Sequence, residues 1–362
     1  MVMQELPTPR QAHILLRGQY DKPGEPVEPA LLNGLLPSPA GPKSGRLNRL
    51  DLTRWLVDPA HPLVARVAVN RYWQSYFGSG LVKTTEDFGA QGEQPVHPDV
   101  LDWLATEFSA PGRADAWDVK RLQRLIVTST AYRRSSHAPQ ALAQRDPENR
   151  LLARGPRMRL SAEVVRDQAL FVGVLLVEQL GGPSVKPRQP AGLWKELTGG
   201  EDYVPGEGAD LVRRSLYTFW KRTIPPPALT TLDAPSREFC TVRESRTNTP
   251  LQALVLLNDQ DYADAALGIA ARVLREEPDP AQRLAFAFCI VLGRDPTPAE
   301  AKVLAAACEQ HRSHYAAHGD EARQRIAASP LVPTAGLPAD ELAAWTAICS
   351  TLLNLDETIT KE

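Results

Sequence analysis

The chain has 362 residues, a formal net charge of −2, and is 43% hydrophobic and 23% charged. Disorder needs a far smaller apolar share, and nucleic-acid binding usually needs a basic excess that is missing here. The length fits one large domain or two to three ordinary ones.

Proline is the unusual residue. Many of the 32 prolines sit at 7–42 and 183–235, so they mark the irregular parts. Residues 1–45 are Pro- and Gly-rich with one extended piece, AHILLRG, and read as a lead-in arm. The helical pattern begins in RLNRLDLTRWLVD, where Leu47, Leu50, Trp55 and Leu56 recur near helical spacing until Asp58-Pro59. Leu63 to Phe77 is a second helix, stopped by Gly78. After a glycine-containing loop, His97-Pro98 opens a third, because proline fits the first helical position. Trp117 to Arg134 reads as a fourth and Ser161 to Leu180 as the most apolar, closed by Gly181-Gly182.

From 183 to 248 the pattern turns irregular and partly extended, with room for a small hairpin around RRSLYTFWKR. Helices return at Thr249–Arg275, Pro280–Leu292, Thr297–Ala317 and Pro338–Leu355. Two of these starts, Thr249-Pro250-Leu251-Gln252 and Thr297-Pro298-Ala299-Glu300, carry the capping-box pattern. The expected fold is mainly α. Two helical blocks, 46–182 and 249–362, flank the irregular segment 183–248, with 46–362 forming one domain.

Few motifs bear chemistry. There is no CxxC or CxxCH, so no zinc-finger spacing and no haem-attachment site. Cys289, Cys308 and Cys349 fall inside apolar helical patterns and read as core thiols. GxSxG, GxGxxG, P-loop, HExxH and EF-hand patterns are also missing. The longest apolar runs, Ala169–Val177 and Leu284–Leu292, fall well short of the roughly 20 residues a membrane span needs. Residues 1–20 show no basic start followed by an apolar run.

Four stretches bring reactive side chains together. Glu86, Asp87, Glu93, His97, Asp99 and Asp102 lie within TTEDFGAQGEQPVHPDVLDW. Carboxylates with a histidine suit metal binding or acid–base work, but Asp99 and Asp102 equally suit a helix's first turn. Asn70, Arg71, Trp73 and Gln74 interrupt an apolar helix. They either line a cleft or brace the helix against a loop, with Arg71 on Glu86 or Asp87. His311, His314 and His318 fall within about 60° of one another on a helix, so two of them have the spacing of a chelating pair. The same histidines suit a solvated helix end. Finally, LDAPSREFCTVRESRTNTP gathers Asp233, Arg237, Cys240, Arg243, Arg246 and Thr247. The arginines suit a carboxylate or sulfate and would depress the pKa of a nucleophilic Cys240, or else they tie the segment to its own fold.

Several runs together carry a resemblance. They are RLDLTRWLVDPAHPLVARVAVNRYWQSYFGSGLVKTTEDFGAQGEQPVHPDVLDWLATEF, LQRLIVTSTAYRRSS, DPENRLLARGPRMRLSAEVVRDQAL, RRSLYTFWKR, LDAPSREFCTVRESRTNTPLQALVLLND and AWTAICSTLLNLDE. In order, over nearly the whole chain, they resemble the domain of unknown function DUF1553, or PSD1, abundant in planctomycetes. The matching positions Asn70, Arg71, Asp87, Phe88, Gly89, His97 and Arg246 are candidates without assigned roles. The resemblance implies a domain that closes a longer exported polypeptide, behind a cytochrome c-like domain and a second uncharacterised domain, DUF1549. It therefore implies a periplasmic or extracellular setting, those two domains as partners, and haem c on an upstream or partner domain rather than on this chain. Met1 resembles an interior position of such a polypeptide, so a fragment or split gene product is expected. Two functions follow: an accessory or interaction module, or an enzyme, either an oxidoreductase served by that haem or a hydrolase of complex carbohydrate.

Overall fold

The structure is a computed structural model that describes residues 4, 6–32, 34–36, 46–110, 112–200, 202–243 and 245–361, with Thr198 as backbone only. Part of the lead-in arm, 1–3, 5, 33 and 37–45, lies outside the described residues. The chain is mainly α, as expected: fifteen α-helices and two two-stranded sheets among the described residues. It divides into two compact units at Gly155–Pro156.

The first unit begins with a hairpin. The extended piece seen in the sequence is β1 (Ala12–Leu15), which pairs antiparallel with β2 (Pro23–Val27). Five helices follow: α1 (Arg49–Leu56), α2 (Val64–Phe77), α3 (Pro98–Ser109), α4 (Val119–Thr128) and the short α5 (Gln140–Arg145). Asn48 caps α1 through a full capping box with Asp51. Gly78, at φ 80°, ends α2 in the left-handed conformation that glycine adopts at least cost. The core packs Val69 and Trp73 of α2, Leu101, Leu104 and Phe108 of α3, and Leu122 and Ile126 of α4 around Leu81 and Val82.

The second unit holds α6 (Ala162–Val172), α7 (Leu193–Thr198), α8 (Pro227–Thr231), α9 (Pro250–Asn258), α10 (Gln260–Glu276), α11 (Arg283–Leu292), α12 (Pro298–Ala317), α13 (Gly319–Ala327), α14 (Ala339–Leu353) and α15 (Asp356–Ile359). Helix α10 is the centre. Its run of small and branched residues, Ala265 to Ala271, is buried, and α6, α9, α11 and α14 pack on it. Strand β3 (Met158–Arg159) pairs with β4 (Thr360–Lys361), so the unit's two ends are joined.

Several elements differ from their sequence expectation. The helix read as Thr249–Arg275 is two, broken where Asp259 turns extended and caps α10. The helix read as Ser161–Leu180 stops at Val172; Val177 then forms a bridge with Arg213. It packs on α10 inside the second unit, although the sequence placed it in the first helical block. Around RRSLYTFWKR the chain forms 3-10 turns and isolated bridges in place of a hairpin. Cys289 is exposed; its place on α11 leaves Ala287 and Phe288 facing the core instead.

Candidate functional site

In the first unit, the candidate side chains are mostly used to hold their own loop. Asn70 is fully buried, and both ends of its amide are occupied. Its Nδ2 donates to the Val82 carbonyl at 3.0 Å and its Oδ1 accepts the Val82 N–H at 2.9 Å. Trp73 stacks on Phe77 with ring centroids 4.1 Å apart, inside the core. Gln74 accepts from the Thr85 hydroxyl at 2.7 Å. The expected partnership of Arg71 with Glu86 or Asp87 does not form: Arg71 and Glu86 are exposed, and Asp87 spends a carboxylate oxygen on the Gly89 N–H at 2.7 Å. Gly92 is required beside it, because a Cβ there would fall 2.2 Å from the Asp87 carbonyl oxygen.

His97 sits at the N-cap of α3, and its Nε2 is 3.1 Å from the Arg150 carbonyl oxygen. The cavity beside it holds about 20 Å³, room for roughly one water. Glu93 pairs with Arg150 at 2.6 Å, and that bond pulls its carboxyl below the usual range. Asp102 likewise pairs with Arg66 at 2.6 Å and is shifted down by it. Asp99 is an exposed first-turn acid. The loop thus resolves into separate local contacts.

The second unit holds the other candidates. Arg237 lies over the Trp220 ring, 4.2 Å from its centroid. Cys240, Arg243 and Arg246 are exposed, and among the described residues no bond or ion pair engages Arg243 or Arg246. Behind them is a tight polar knot. The Asp233 carboxylate accepts from the Thr247 N–H at 2.7 Å, the Thr247 hydroxyl at 2.9 Å and Gln252 Nε2 at 3.0 Å. Arg159 donates to Gln252 Oε1 at 2.6 Å and to the Thr247 carbonyl. His314 and His318 stack with ring centroids 4.5 Å apart, but their polar atoms and His311 turn to separate contacts. His314 bonds Glu321 at 2.9 Å, His318 Nδ1 is 2.9 Å from the His314 carbonyl oxygen, and His311 stacks on Tyr315. Among the described residues, no group of three or more His, Cys, Asp or Glu is placed to hold a metal ion.

A buried charge network escaped the sequence reading. Arg166 of α6 bonds Asp261 of α10 at 2.6 Å, and also the Ser215 hydroxyl and the carbonyls of Leu211 and Arg213. Arg188 reaches Asp264 at 2.7 Å, and Gln260 donates to the other oxygen of Asp264 at 2.6 Å. The signal was present. Arg166 stands four residues from both Ala162 and Leu170, which are buried, so the helical register turns it inward. A buried arginine in that register requires carboxylate and carbonyl partners. The network clamps residues 211–215 onto α6 and α10.

The second unit also has an apolar groove of about 350 Å³ lined by Leu284, Leu304, Cys308 and Trp345, with Arg283 and Glu341 paired at 2.6 Å on its rim. Burial pushes the Cys308 thiol up, so it is protonated at neutral pH and a poor nucleophile. No sequence candidate lines this groove.

Among the described residues no helix is long and apolar enough to cross a membrane. No curated protein and no solved structure matches the chain. The family model described as "Protein of unknown function (DUF1553)" matches residues 48–308, and with nearly three quarters of its length covered the chain belongs to that family, PSD1.

Proposed function

We propose that the chain is an accessory, partner-binding module of a larger exported, haem c-associated bacterial protein. It packs on, or receives substrate from, DUF1549-like and cytochrome c-like domains of the same or a partner polypeptide, outside the cytoplasm. The chain has no CxxCH, so in this reading the haem belongs to the partner. One observation carries the reading. The polar candidates Asn70, Gln74, Asp87 and His97 are each engaged in bonds within their own unit, while the exposed side chains include Arg71, Arg243, Arg246 and Phe239, of types that serve contact. Catalysis would instead gather several such groups around one pocket with a group left unpaired.

The test begins with the reading frame upstream of Met1. A haem-bearing domain encoded there, purified and titrated into this chain by calorimetry, should bind with a defined stoichiometry. No binding, together with turnover of a redox or glycoside substrate that disappears in Asp87→Asn or His97→Ala, would replace the accessory reading with an enzymatic one.

A further inference from the structure

The groove between α11, α12 and α14 is bordered by small residues. Ala301 and Ala305 line it from α12, and Ala281 and Ala285 line it from α11 and the turn before it. Alanine leaves unfilled the space that longer side chains occupy where helices interdigitate. Leu284, Leu304 and Trp345 extend the apolar lining around about 350 Å³. Small-molecule sites have volumes of about 300–1,000 Å³. The cavity beside His97, at about 20 Å³, takes only a water.

The polar edge of the groove is sparse and balanced in charge. Arg283, whose side chain is 12% exposed, gives Nη1 to Glu341 at 2.6 Å and Nε to the Glu277 carbonyl at 3.0 Å. Its Nη2 has no partner among the described residues. Arg312 and Glu309, also on the lining, stand 3.7 Å apart on α12. Two cations and two anions cancel. Cys308 adds no charge, because burial keeps its thiol protonated. This balance selects the ligand. A carboxylate drawn to Arg283 meets Glu341 beside the same guanidinium, and an ammonium drawn to Glu341 meets Arg283. A neutral molecule meets neither repulsion and gives up little hydration on entering. One carbonyl oxygen on it can accept from Nη2 in a charge-assisted bond, while a flat apolar body lies against Leu284, Leu304 and Trp345.

We propose that the groove of α11, α12 and α14 binds a neutral, ring-bearing small molecule, with Arg283 donating to its carbonyl oxygen. This goes beyond the accessory reading and does not depend on it. The alanines leave the room, the leucines and Trp345 supply the apolar contact, and Arg283 sets the orientation.

The experiment uses the full chain and three probes: 2-acetylnaphthalene, a neutral two-ring ketone; 2-ethylnaphthalene, which lacks the oxygen; and 2-naphthoate, which carries a charge. Equilibrium dialysis should show the ketone binding at least about fivefold tighter than either comparison. Arg283→Lys, which keeps a cation for Glu341, should erase the ketone's advantage over 2-ethylnaphthalene. Ala305→Trp fills the groove from an exposed position and should weaken all three probes; Ala301→Phe replaces it if that chain does not fold. A second readout locates the site. In a chain carrying Cys240→Ser and Cys289→Ser, saturating ketone should slow alkylation of Cys308 by N-ethylmaleimide. No binding of the ketone, binding untouched by the groove-filling variant, or Cys308 alkylated at the same rate with and without ketone overturns the proposal. Naphthoate binding as tightly as the ketone overturns the neutral class. A haem-bearing domain that protects Cys308 where the ketone does not overturns it in favour of a partner's side chain.

Discussion

Asp259 holds a carboxyl where ionisation is costly. It closes α9 by donating its N–H to the Val255 carbonyl, and it caps α10 by accepting the Asp261 N–H at 3.0 Å. Burial, then the Asp261 charge, push it up to about 6; the Asp261 N–H, Arg166 and Arg188 oppose the shift. The folded state therefore holds this proton more tightly than the unfolded chain, and stability falls as pH rises from about 4 to about 6. Asp259→Asn keeps the capping acceptor without the charge. We expect it to raise stability at pH 7.5 by roughly 1–3 kcal/mol and to change little at pH 3.5. Thermal melts at the two pH values decide it, and an equal shift at both sinks the account. Glu300 has the opposite sign. Its bond to Arg294, then those from Thr297, lower it to about 2, so what it contributes is present above the ordinary carboxylate range and fades as pH falls toward 2. Arg166 sets a larger effect. Replacing it by Met strands Asp261 without its closest cation and frees two carbonyls, and we expect a loss on the order of 3–5 kcal/mol, read from denaturant midpoints. This network was only half legible. The inward register of Arg166 is written in the spacing, but its partners lie 45 to 95 residues away and no local pattern names them. The surface arginines 243 and 246 were legible as a cluster; that nothing among the described residues pairs with them became visible only with their neighbours in place.

Helix starts were readable because caps are local. Both capping boxes form: Thr249 with Gln252 and Thr297 with Glu300. Removing the first by Thr249→Val should cost on the order of 1 kcal/mol, measured by chemical denaturation. Helix ends and joins were less readable, because distant packing decides them. The apolar pattern of 250–257 resumes at Tyr262 after four polar residues, Asn258 to Asp261, few enough to pass for one helix, and the extended Asp259 separates α9 from α10 there. Helix α6 ends at its closest approach to α10. Gly173 abuts Gly268 of α10 so closely that a Cβ on Gly268 would lie 2.3 Å from the Gly173 carbonyl oxygen. Gly268 is itself fully buried within α10, where an alanine would be the better helix former. We therefore expect Gly268→Ala to destabilise, by about 1–3 kcal/mol through overpacking, rather than to stabilise as helix propensity alone dictates. Denaturant titration gives the sign. A gain in stability would mean that the two backbones do not meet.

At the scale of the whole molecule, the division at Gly155–Pro156 gives each unit its own core, one built on α2, α3 and α4 and the other on α10 and α14. The sequence placed the change of texture near 183 because proline and glycine become frequent there. Yet residues 183–248 pack with the second unit, held by Arg166 and Arg213 through carbonyls that no composition shift reveals. The second unit also closes on itself. Met158 and Arg159 pair with Lys361 and Thr360, the Leu160 N–H donates to the Ile359 carbonyl at 2.9 Å, and Arg157 pairs with Asp356. Ile359 is buried, and the Thr358 hydroxyl donates to the Leu352 carbonyl at 2.6 Å. A segment comprising 156–361 accordingly contains both sides of its own closure and should melt cooperatively by itself. Ending the same segment at Leu355 removes the pairing strand and a buried isoleucine together. A buried isoleucine alone is worth about 2–5 kcal/mol, and a unit of this size moves by roughly 2–4 °C per kcal/mol. The shortened segment should therefore melt at least about 4 °C lower, with amide exchange accelerated first at Met158–Leu160. If both segments melt alike, the β3–β4 pairing is an accessory to the second unit and not its clasp.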